Sequence, residues 1–93
     1  MANFVIKKDG SKEPFDALKI RNSITMAAQR ANLSEERTNE IVEQVSRAAM
    51  QLAESKEEIA TSEIREKILS ELDVVEPSVS EAWRGHDETK GGA

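Results

Sequence analysis

Three stretches of this chain repeat their apolar residues at intervals of three and four. They are Leu18, Ile20, Ile24, Ala27, Ala28 and Ala31; then Ile41, Val42, Val45, Ala48, Ala49 and Leu52; then Ile64, Ile68, Leu69 and Leu72. Only a period near 3.6 puts each set on one face, so each stretch predicts an amphipathic helix. The starts carry capping residues. Asp16 and Ser34 stand at the N-cap positions of the first two helices, with Glu35 and Glu36 at the positive end of the second helix dipole. Thr61 is placed to cap the third, and Pro77 fits the first position of a short fourth helix over residues 77–84. Residues 85–93, with three glycines and no apolar face, are expected to be a disordered tail behind one folded domain over residues 1–84.

Ahead of the helices the pattern changes. Residues 3–8, Asn-Phe-Val-Ile-Lys-Lys, read as a strand that stops at Asp9-Gly10. That dipeptide predicts a hairpin with a tight primed turn, because Gly accepts positive φ and Asp tolerates it. The return strand covers residues 12–15 and is expected at an edge, since Pro14 has no N–H to donate. Glu58-Ile59-Ala60 reads equally as a loop or a short third strand. The expected class is therefore α+β, a four-helix cluster capped by a β-hairpin or a three-stranded sheet, because a lone hairpin is marginal in water and must lie on the helices.

Composition removes whole classes of chemistry. Ninety-three residues without cysteine exclude disulfides, thiol catalysis and zinc ribbons, and one histidine excludes a multi-histidine metal site. The only large rings are Phe4, Phe15 and Trp83, so the core must be aliphatic and a deep enclosed active site is not expected. His86 lies among glycines in the tail, where nothing would orient it as a base. The carboxylates are spaced as solvated helix faces, and neither a calcium loop nor a glycine-rich phosphate loop is present. No apolar run is long enough to span a membrane and no secretory leader is evident, so the expectation is a cytoplasmic, non-catalytic protein with no membrane partner.

Charge then singles out one region. The net charge of −5 argues against general nucleic-acid affinity, and no autonomous DNA binding is expected. Residues 1–21, however, carry +2 on a remainder of −7. In a strand Val5 and Lys7 share one face while Ile6 and Lys8 take the other, so the lysines need not form one solvent stripe. Lys19 falls in the first turn of a helix, where a cation is unfavourable unless an anion is near. Either the three lysines are simply solvated, or Lys7, Lys8 and Lys19 hold a phosphate chain through charge-assisted bonds. The residues alone leave both open.

The spacing of residues 5–20, Val-Ile-Lys-Lys-Asp-Gly-Ser-Lys-Glu-Pro-Phe-Asp-Ala-Leu-Lys-Ile, resembles the opening motif of the ATP-cone domain. The order of later elements, with Thr61-Ser62-Glu63-Ile64 opening a helix and Pro77 another, extends the resemblance to residues 3–84. It implies a regulatory module that binds ATP or dATP, familiar in ribonucleotide reductase large subunits and in the repressor of their genes. Carried onto this chain, it implies that Val5 meets the base and that Lys7 and Lys8 contact phosphates. Glu13 and Asp16 would read base or ribose, Phe15 and Ile20 would form apolar walls, and Lys19, Thr61 and Arg65 would complete the site. It leaves open whether Mg²⁺ accompanies the nucleotide. The reductase cysteines and the repressor's paired zinc cysteines are absent. The expectation is a stand-alone module acting on a reductase or another partner, or through its own homo-oligomer. The other reading is a cone fold that serves interaction or oligomerisation without nucleotide. Trp83 reads as a packing anchor in either case.

Overall fold

A computed structural model describes residues 3–91, with side chains described for residues 3–86. The order is β1 (Phe4–Ile6), β2 (Lys12–Pro14), α1 (Ala17–Arg30), α2 (Glu35–Glu54), β3 (Glu58–Ala60), α3 (Thr61–Val75) and α4 (Pro77–Gly91). All three amphipathic stretches are helices. Their stripes meet in one aliphatic core in which Ile24, Ile41, Val45, Leu72 and Val79 are fully buried. The helices contact in a ring, α1 on α2, α2 on α3, α3 on α4, and α4 back on α1. The α+β class expected from the sequence is what the chain adopts.

The third strand is present, and it decides the sheet. The strand order is β2-β1-β3, with β1 antiparallel to β2 and parallel to β3. Val5 stands between Glu13 on one side and Ile59 on the other, so these three side chains share a face. Ile59 is 1% exposed, which identifies that face as the one lying on the helices. Glu58 and Lys12 pair on the opposite face. Pro14 occupies the outer strand, as its missing N–H requires.

Three local expectations are corrected. The hairpin connection has three residues, Lys8-Asp9-Gly10, and not a two-residue primed turn. The Gly10 N–H donates to the Lys7 carbonyl at 2.9 Å, the Lys7 N–H to the Ser11 carbonyl at 2.9 Å, and Gly10 alone in the turn has positive φ, +86°. This is a type I turn followed by a left-handed glycine. Asp9 favours it by accepting from the Ser11 N–H (2.9 Å) and hydroxyl (2.6 Å), bonds that also hold its carboxyl below the usual range. Second, Thr61 is the first helical residue of α3 and not its N-cap. Ala60 takes the cap position, and Glu63 reaches back to the Ala60 N–H at 3.1 Å while Lys56 holds the same carboxylate at 2.6 Å. Third, α4 continues past Arg84 to Gly91, through most of the expected tail; residues 92 and 93 lie outside the described residues. A glycine inside a helix costs about 1 kcal/mol and need not end it, and Arg84 ties α4 to α3 through two 2.9 Å bonds to Asp73.

Asp16 and Ser34 cap α1 and α2 as expected, accepting from Leu18 N at 3.0 Å and Arg37 N at 3.1 Å. Arg37 then links two helix ends. Its guanidinium donates to Glu76 at 3.0 Å and to the Val75 carbonyl at 2.9 Å, satisfying a carbonyl left over at the end of α3.

Candidate functional site

The sheet, α1, α3 and α4 converge on a cleft of about 190 Å³. Burial sorts its lining into depths. Ile20, Ile64 and Ile68 are buried and form the floor; Val5, Glu13, Phe15, Thr61 and Trp83 are half-buried walls; Pro14, Asp16, Lys19, Ser23 and Arg65 are exposed at the rim. An apolar floor under a polar rim is the usual design of a small-molecule site. Eight of the ten residues singled out in the sequence line this one cleft: Val5, Glu13, Phe15, Asp16, Lys19, Ile20, Thr61 and Arg65.

The fold explains how residues far apart in sequence meet there. The parallel pairing of β1 with β3 sets Val5 beside Ile59, which places Thr61, two residues on, at the cleft wall. Because Thr61 begins α3, the positive end of that helix borders the cleft. Arg65 lies one turn further along the same helix. From the other side, the Asp16 cap fixes the start of α1, so that Lys19 and Ile20 fall in its first turn at the rim and the floor.

Lys7 and Lys8 do not line the cleft. Lys7 reaches toward it across the sheet, its ammonium 2.9 Å from Glu13 Oε1, while Lys19 lies 3.8 Å from Glu13 Oε2. Glu13 therefore sits between two cations. Its carboxyl is held below the usual range chiefly by the hydrogen bond from Lys7, and the same bond raises the Lys7 ammonium. The anion that a cation in the first turn of α1 calls for is, in this state, a carboxylate of the protein itself. Lys8 is exposed in the hairpin turn.

Sequence reasoning missed Pro14, Ser23, Ile64, Ile68 and Trp83 as lining residues. Ile64 and Ile68 were legible as core but not as a floor, because periodicity finds the buried face of a helix without saying what lies above it. Trp83 carried the signal of being one of three large rings in the chain. Arg84, one position on, is committed to Asp73, whose carboxyl is pulled down to about 2 by that guanidinium. Among the described residues no cluster of three or more His, Asp or Glu is placed to hold a metal ion, and no helix is long and apolar enough to cross a membrane.

A four-helix ring capped by a mixed three-stranded sheet, with an apolar cleft under a polar rim between them, is the architecture here, and the family match makes it that of a small nucleotide-binding regulatory domain. The ATP cone domain model matches residues 3–83, and the chain belongs to that family. Among curated relatives, the transcriptional repressor NrdR of Syntrophus aciditrophicus (strain SB) is 45% identical over 74 residues, covering 76% of this chain and 45% of that protein. NrdR of Listeria welshimeri is 37% identical over 68 residues, covering 73% of this chain and 43% of the repressor. NrdR of Caldicellulosiruptor bescii is 38% identical over 68 residues, with the same coverage. The chain thus spans less than half the length of the curated relatives it matches.

These relatives overturn one expectation. The acidic net charge and the absent zinc cysteines lead to the expectation of no autonomous DNA binding, yet the relatives that match this chain are transcriptional repressors. The −5 belongs to one acidic domain, and the charge of such a domain does not exclude action on DNA.

Proposed function

We propose that this domain binds ATP or dATP in the cleft between sheet and helices and serves as the sensing part of a regulator. The observation that carries the reading is the convergence of the family's opening motif and the start of α3 on a single cleft. Its volume is below the roughly 300–1,000 Å³ of pockets that enclose a whole drug-sized ligand. It suits one flat ring with part of a sugar and leaves a phosphate chain at the rim. There Lys19 and Arg65, the first turn of α3, and Lys7 once released from Glu13 supply positive charge. Phosphate oxygens would take over the role that Glu13 now plays, which frees that carboxylate to accept from base or ribose. The domain is a binding module and not an enzyme, it acts in the cytoplasm, and the protein it regulates is a ribonucleotide reductase or another partner, reached directly or through self-association.

Calorimetric titration with ATP, dATP, ADP and GTP, with and without Mg²⁺, tests this. ATP or dATP should release heat, and the Lys7→Ala/Lys8→Ala double variant should bind at least about tenfold more weakly, the loss of one charge-assisted contact being sufficient for that. Absence of heat with both nucleotides refutes the proposal. A dimer in sedimentation that forms equally with and without nucleotide would favour the interaction reading instead.

A further inference from the structure

We propose that Trp83 is a base-contacting residue, its indole forming the α4 wall against which the nucleobase packs. This rests on the nucleotide reading of the cleft and adds a residue to it. The floor of the cleft is aliphatic, from Ile20, Ile64 and Ile68, and its two aromatic walls are Phe15, just after β2, and Trp83 on α4. Trp83 packs against the core with part of its surface and remains half-buried where it lines the cleft. An indole left partly uncovered at an apolar cleft offers what a purine needs, a large polarisable surface beside the buried isoleucines.

Trp83 is also held in place, as a recognition residue must be. Val79, 0% exposed and one helical turn earlier, anchors the same face of α4. Arg84, the next residue, bonds Asp73 on α3 through both carboxylate oxygens at 2.9 Å. The indole therefore does not have to be ordered at the moment of binding, which lowers the entropic cost of using it.

Trp83 is the one tryptophan of the chain, so its own emission reports on the contact. Excited at the red edge, where adenine does not absorb, it should be quenched by ATP and not by inorganic triphosphate. In calorimetry Trp83→Leu should weaken ATP by roughly five- to hundredfold, the worth of one base–aromatic stack, with the affinity for inorganic triphosphate unchanged, and Trp83→Phe should retain most ATP binding. The proposal is overturned if Trp83→Leu binds ATP like the parent, or if it loses ATP and triphosphate in parallel, which is the mark of a structural role. Should the leucine variant fail to fold, the phenylalanine variant and the quenching of the parent protein decide: emission unchanged at saturating ATP overturns the contact. A parent protein that gives no heat with ATP refutes the nucleotide reading itself, and that curve is measured first.

Discussion

Replacing Ile59 by alanine tests the part of the fold on which the cleft depends. Ile59 is the one buried residue of β3, 1% exposed, and its partner across the parallel pairing is Val5. The substitution removes three carbons from a fully enclosed position. At about 0.8 kcal/mol each, transfer alone accounts for about 2.4 kcal/mol. Incomplete collapse of the space left behind raises the expected loss to about 3 kcal/mol, inside the roughly 2–5 kcal/mol span of such substitutions. A domain of this size has about 5–14 kcal/mol in total, so the variant should still fold, with a midpoint lower by roughly 12–24 °C. Urea unfolding followed by far-UV circular dichroism should give a lower midpoint with an unchanged slope. Ile6→Ala is the control, because Ile6 lies on the opposite face of β1 and is only half-buried. It should cost less than half as much. If Ile59→Ala loses under about 1 kcal/mol, or no more than the control, β3 is not seated on the helices as described and the placement of Thr61 at the cleft wall fails with it.

Two further outcomes follow from local geometry. Gly10→Ala should destabilise by about 1–2 kcal/mol through backbone strain alone, since φ is +86° and a Cβ there meets nothing within 4 Å; Gly10→Asn should recover part of the loss in the same urea experiment. The Asp73 carboxyl is lowered from an ordinary 3.8 to about 2 by Arg84, so its contribution to stability is present above pH 3.8 and lost as pH falls through about 2. The stability gap between the parent and Asp73→Asn should therefore narrow across that window, and a gap constant from pH 5 to pH 2 would show that the pair does not act on folding.

Much of the fold was legible because it is set by local period and local punctuation. The helices follow from apolar spacing, and the starts of α1 and α2 from Asp16 and Ser34, whose side chains act on N–H groups two and three residues away. The departures occur where local signals compete. Asp9-Gly10 suits a primed turn as well as the observed one, and the choice fell to the Ser11 side chain that Asp9 accepts from. Thr61 suits a cap, but the helix begins one residue earlier than a Thr61 cap requires, with Glu63, held by Lys56, accepting from the Ala60 N–H. Gly85 suggests a helix end, yet the bond from Arg84 to Asp73 comes from another helix and cannot be seen in a window around it.

The sequence by itself determined the helices, the hairpin, an aliphatic core and a basic N-terminal segment, because period, turn chemistry and charge act over a few residues. Only the tertiary structure decided that Glu58-Ile59-Ala60 is a strand, that it pairs in parallel with β1, and that Thr61, Arg65 and Trp83 share a cleft with Val5 and Phe15. Those are contacts between residues some fifty to eighty positions apart, fixed by which apolar faces can be buried together, and no local rule contains them. It also decided that Glu13 stands between Lys7 and Lys19. The sequence places those charges in one segment; the pairing of β1 with β2 and the start of α1 bring them within reach of one another.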